Sequence, residues 1–188
     1  MEKVSLNNVQ LHHLARSHPS LGPHFYGTVP CDRLPDTPDK FAPLSYIVNT
    51  DPQGQQRRHW IALWKQNNVC ELMDTYALAL ETYLSTGPLQ EWLDRHWKYV
   101  VQNGRSLQSL YSQSCGDYAL MYLIDRAEGR TLNEFLNRFK KHDYVNNDHK
   151  VGQMLKKLME KELDWKKVCK CDYEQNACFS RCGIRHLL

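Results

Sequence analysis

No apolar run in this 188-residue chain approaches the roughly eighteen residues of a membrane-spanning helix, so no membrane association is expected. The opening residues, Met1-Glu2-Lys3-Val4-Ser5, lack the apolar core of a secretory leader. Internal repeats and low-complexity tracts are absent, which sets aside solenoids, propellers and compositional disorder. Cysteine is present without forming a disulfide framework. There are seven, an odd number; Cys31, Cys70 and Cys115 are scattered, while Cys169, Cys171, Cys178 and Cys182 crowd near the end. We therefore expect an intracellular, reducing setting and read the first three as free thiols. Charge of one sign is also lacking, since the net is only +3. It is unevenly spread: residues 1–139 carry 13 Lys and Arg against 14 Asp and Glu, and residues 140–188 carry 11 against 7. The basic end suits either an anionic partner such as nucleic acid or an ordinary solvated helix face.

What is present fits one folded domain with a small appendage. Hydrophobic residues make up 41% and charged residues 24%, the balance of a globular protein. The division expected is a domain over 1–165 and a basic, cysteine-rich tail over 166–188. Residues 5–17 repeat Leu6, Val9 and Leu14 at helical spacing, with Ser5 as N-cap and Pro19 as the stop. Residues 19–43 hold six of the eight prolines and read as extended and turn-rich. Strands are expected over 44–50, 59–64 and 69–73, the last two forming a hairpin through the polar turn 65–68. A helix is predicted over 89–101, a short strand over 105–111, and the most apolar helix from Cys115 to Gly129. Thr131 and Glu134 form a capping box for the next helix, and 148–163 completes the set. Helix, strands, then helices predict an α+β fold.

The chemistry concentrates around Cys115. A thiol at the start of an apolar helix meets exposed backbone N–H groups and the positive end of the helix dipole, which favour the thiolate. Gly116 beside it would let a carbonyl approach the sulfur closely. His59, at the start of one hairpin strand, could take the thiol proton and return it to a leaving amine. Asp74, ending the other strand, falls at the same end of the sheet and could orient the imidazole. Gln108, seven residues before Cys115, could donate to an oxyanion together with the Cys115 backbone N–H; Gln113 is its rival for that role. Each of these residues alone has an ordinary structural explanation. Together they make up the set of a thiol protease.

In this order the residues resemble the adenovirus-type cysteine endopeptidases (adenain), relatives of the ubiquitin-like-protein proteases. Gly22-Pro23-His24-Phe25-Tyr26-Gly27-Thr28 is similar to that family's N-terminal segment. Ile47-Val48-Asn49-Thr50 resembles the strand before the histidine, His59-Trp60 the His-Trp pair, and Cys70-Glu71-Leu72-Met73-Asp74 the strand bearing the acid. Gln108 and Cys115-Gly116 match the oxyanion glutamine and the nucleophile. The resemblance spans residues 5–127 and implies a papain-like, adenain-type fold, a short mixed sheet flanked by helices. It further implies endoproteolysis of viral precursor proteins at Gly-containing sites during particle maturation, in the host nucleus and virion. Trp60 would shape the substrate groove beside His59, or simply pack in the core.

The family is stimulated by DNA and by a viral peptide held through a disulfide. No Cys lies between Cys70 and Cys115, so a disulfide-tethered peptide is not expected here. The acid is Asp74 where adenoviruses use glutamate, as in the ubiquitin-like-protein proteases, which points to a divergent virus or virus-like element. No cofactor is needed for the chemistry, and a monomer acting on polypeptides is expected. Cys169, Cys171, Cys178 and Cys182 are a weak candidate set for a structural zinc, against free thiols or disulfides. Two other functions stay open: an isopeptidase removing ubiquitin-like modifiers with the same residues, and a nucleic-acid-binding protein acting through the basic tail.

Overall fold

The computed structural model describes residues 6–36, 42–54, 59–79, 82 and 87–162. Helix α1 (Asn8–Ser17) is capped by Asn7. The Asn7 side chain accepts the Gln10 N–H at 2.9 Å, and Gln10 Oε1 accepts the Asn7 N–H at 3.0 Å. This reciprocal box places the cap two residues beyond Ser5, which lies outside the described residues. A 3₁₀ turn (Gly22–His24) then leads into β1 (Phe25–Pro30). A Cβ on Gly22 would lie 2.3 Å from the Arg16 carbonyl oxygen, so only glycine lets the chain turn this tightly under α1. The proline-rich segment thus contains a strand. Pro30 is tolerated because β1 is an edge strand.

The sheet continues with β2 (Leu44–Asn49), β3 (Trp60–Gln66) and β4 (Val69–Met73). β2 runs parallel to β1 and antiparallel to β3, and β3 and β4 form the expected hairpin. Its turn is shorter than predicted: β3 extends to Gln66, and Asn67 takes the left-handed conformation (φ 55°) that asparagine tolerates. Helix α2 (Pro88–His96) crosses over to β5 (Tyr99–Gln102), which pairs parallel with β4. The five strands lie in chain order, β1-β2-β3-β4-β5. The helix predicted to reach Val101 therefore stops at His96, because the backbone of 99–102 bonds to β4 instead. Residues 105–111 are not a strand; the Leu107 and Gln108 N–H groups both turn to the Thr75 carbonyl (2.8 and 3.4 Å).

Three helices complete the fold: α3 (Cys115–Ala127), α4 (Leu132–Asn137) and α5 (Tyr144–Glu162). Thr131 and Glu134 form the capping box of α4, and α5 begins one turn before Asp148. Side chains alternate across the sheet and fill two cores. Ile47, Ala62, Trp64 and Met73 meet α1, α3, α4 and α5 on one face. Tyr46, Val48, Ile61, Leu63 and Leu72 meet Leu89, Trp92 and Leu93 of α2 on the other. Helix α3 is buried from Cys115 through Asp125, which explains its all-round apolar character. The architecture is α+β, a mixed sheet flanked by helices on both faces. Among the described residues no helix is long and apolar enough to cross a membrane. The tail over 166–188, with its four cysteines, lies outside them.

Candidate active site

The hairpin register decides what stands at the sheet end. Ala62 pairs with Met73, so the residues just outside the two strands, His59 and Asp74, emerge together. His59 Nε2 and Asp74 Oδ1 are 2.7 Å apart. Asp74 is fully buried and keeps its charge through donors that reach it: the backbone N–H of Tyr76 (3.0 Å) and of Leu78 (2.9 Å) as well as the imidazole. Burial pushes its pKa up, but the hydrogen bond and positive charge of His59 and the two N–H groups outweigh this, and the net direction is down.

Helix α3 brings Cys115 to the same imidazole. Burial lowers the His59 pKa; hydrogen bonds to Asp74 and to Cys115, and the charges of both, overcome it and raise the value to about 9. With Nε2 given to Asp74, Nδ1 is the nitrogen available to the thiol. Cys115 is buried, and the His59 side chain is 16% exposed. Three residues from separate elements thus converge: His59 before β3, Asp74 after β4 and Cys115 at the head of α3. Cys31 and Cys70 are also free thiols. Burial raises the pKa of both, Cys31 to about 11, and among their causes there is no imidazole. Among the described thiols, that contrast singles out Cys115 as the one with a base.

Gln108 is 3% exposed and its amide is fully engaged. Oε1 accepts from the Thr75 hydroxyl at 2.7 Å, while Nε2 donates to the Ser112 carbonyl at 2.7 Å and to the Tyr76 hydroxyl at 3.3 Å. Gln113, its rival in the sequence, stands two residues before Cys115 and enters none of these bonds. Trp60 is half-buried and packs against the main core, leaving a groove-lining role without a described contact. Gly116 differs from expectation. Its missing side chain faces α1, where a Cβ would meet Leu11 Cδ1 at 2.9 Å; the glycine makes room for a neighbouring helix rather than for a carbonyl approaching the sulfur.

Sequence reasoning missed the residues that hold the acid in place. Asn103, buried just after β5, accepts the Asp74 N–H and donates to the Asp74 carbonyl, each at 2.7 Å. The Ser106 hydroxyl donates to the Tyr76 carbonyl at 2.7 Å. Together with the Leu107 and Gln108 bonds to Thr75, these fasten the segment after β4 to the segment after β5. Asp148 of α5 secures the second segment from behind, accepting the Ser109 N–H at 3.2 Å and the Tyr118 hydroxyl at 3.1 Å. Tyr76 was missed as well; its ring lies over His59 with centroids 4.8 Å apart and planes at 31°. No local pattern marks these residues, because each acts through partners between 17 and 39 residues away in the chain. No group of His, Cys, Asp and Glu suited to a metal occurs among the described residues.

No family model matches the chain, and no curated protein matches it. Among solved structures, the selenomethionine crystal structure of the ASFV pS273R protease is similar, with 17% identity and a TM-score of 0.41 over 57% of this chain. The match spans 42% of that protease, less than half its length. A likeness of that extent bears on neither activity nor substrate.

Proposed function

We propose that this chain is a cysteine protease with Cys115 as nucleophile, His59 as acid-base and Asp74 as the orienting carboxylate. The observation that carries the reading is one imidazole held between a buried carboxylate at 2.7 Å and the only described thiol that has a base. Chemistry follows from that arrangement. The Cys115 thiolate adds to a peptide carbonyl carbon; a C–S bond forms and the carbonyl π electrons move onto oxygen. The N–H of Cys115 at the head of α3 and the polar network around Gln108 supply donors for that oxygen. As the intermediate collapses the C–N bond breaks, and the amine leaves with the proton held by His59. Water then attacks the thioester, His59 takes its proton, and release of the carboxylic acid returns the sulfur to its starting state.

The substrate proposed is a viral or virus-like precursor protein cut at Gly-containing sites. This part rests on the resemblance carried by Gly22–Thr28, His59-Trp60, Gln108 and Cys115-Gly116. Stimulation by DNA through the basic end belongs to the same reading.

The test is cleavage of a fluorogenic peptide with a Gly-Gly site, in reducing buffer, with and without DNA. Wild type should turn over and lose activity on thiol alkylation, and Cys115→Ala should be inert. Cleavage by Cys115→Ala at the wild-type rate would overturn the proposal.

A further inference from the structure

Gln108 has no N–H left to give. Its carbonyl is fixed by Thr75, which sets the amide's orientation, and its two N–H groups go to Ser112 and Tyr76. The bond to the Ser112 carbonyl is the short one, and Ser112 is held near α3 by the hydroxyl–hydroxyl contact with Ser114 at 3.1 Å. The second N–H ends on a phenol oxygen, and a phenol is both acceptor and donor. Among the described residues nothing accepts the Tyr76 hydroxyl proton. Tyr76 is also fixed at its other atoms. Its N–H goes to Asp74, its carbonyl accepts from Ser106, and its ring lies along His59.

We propose that the Tyr76 hydroxyl, rather than the Gln108 amide, is the side-chain donor to the oxyanion, with Gln108 acting through it as a positioning residue. This rests on the protease reading above. The amide donates to the phenol oxygen, which aligns and polarises the O–H, and the O–H donates to the carbonyl oxygen as negative charge develops there. A donor must hold its proton at working pH. Burial, then the charges of Cys115, Asp148 and Asp74, keep the phenol above its ordinary value, so it stays protonated through neutrality. No proton is transferred in this role. Only a hydrogen bond strengthens between ground and transition state.

The experiment compares two reactions of the same thiol. Hydrolysis of benzyloxycarbonyl-Gly-Gly p-nitrophenyl ester passes through an oxyanion; alkylation by iodoacetamide does not. Tyr76→Phe keeps the ring over His59 and removes only the hydroxyl. It should lower kcat for the ester by on the order of 10²–10³-fold, with KM little changed and alkylation at the wild-type rate. Gln108→Ala should lose less, and the double variant should fall no further than Tyr76→Phe alone. Tyr76→Phe hydrolysing the ester within about twofold of wild type would overturn the assignment. An equal slowing of alkylation would also overturn it, by showing that Tyr76 acts through His59, and fully multiplicative losses would break the chain through Gln108. If wild type is alkylated at Cys115 but turns over no ester, the protease reading itself falls and this assignment falls with it.

Discussion

Leu11, fully buried on α1, occupies the space that a side chain on Gly116 would need. Gly116→Ala therefore sets two effects against each other. Alanine gains up to about 1 kcal/mol of helix propensity over glycine, whereas one methyl group forced into a packed core costs about 1–3 kcal/mol. Leu11 is fully buried and can yield only by shifting within the packed core, so the net should be a loss of stability in denaturant unfolding. Leu11→Ala alone should cost about 2–5 kcal/mol. Combining the two should cost less than their sum, because the new methyl enters the cavity that the leucine leaves.

The raised His59 pKa fixes a pH window. The folded-state value, about 9, lies above the ordinary 6.5. The contribution of the imidazolium to folding is thus complete below about 6.5 and is lost as pH rises through about 9. Peptide turnover should fall on the same alkaline limb, since neutral His59 has no proton for the leaving amine. Cys115→Ala removes one of the interactions that raise the value. Imidazole NMR titration of that variant should place His59 lower than in wild type. An unchanged titration would show that Asp74 alone sustains the shift.

Substitution should grade the site. Cys115→Ala should abolish peptide turnover, and His59→Ala should lower kcat on the order of 10²–10⁴-fold. Asp74→Asn keeps the size of the side chain but not its charge, and should leave measurable residual activity. Steady-state kinetics on the fluorogenic peptide decide the order.

Asn103 offers a test away from the chemistry. Asn103→Ala removes the acceptor of the buried Asp74 N–H, at about 1–3 kcal/mol for an unsatisfied group. The Asp74 carbonyl loses one of two donors and keeps the Ala77 N–H at 3.0 Å. Urea unfolding should register that loss. Turnover should fall too, because Asp74 is then held by fewer bonds. Asn103→Asp should be no rescue: it keeps an acceptor, loses the donor to the Asp74 carbonyl, and brings a second carboxylate close to the first.

How much of this was legible in the sequence differs by element. The hairpin was legible because two apolar runs flank a short polar turn, and the hairpin alone requires that His59 and Asp74 emerge at one end. Helix α3 was legible because Ser114-Cys115-Gly116 precedes a long apolar run closed by Gly129, which adopts the left-handed φ of 88°. β5 was hidden, since Val100 continues the helical spacing of Leu89, Trp92, Leu93 and Trp97, and four residues are too few to display a period of two. Gln108 was located by spacing, but its bonds to Thr75, Ser112 and Tyr76 depend on where two loops meet. Gly116 misled because a missing side chain tells nothing about which neighbour needs the room.

The order of the strands also bears on when the molecule becomes able to react. Each of the five strands bonds only to its sequence neighbours, so the sheet can be laid down one strand at a time as the chain emerges during synthesis. The thiol arrives last, on a helix that docks only after every strand exists. A nascent chain therefore carries imidazole and carboxylate, and even the completed sheet, with no nucleophile in place. On the protease reading proposed above, an unfinished chain cannot itself cleave anything until α3 has been made and docked.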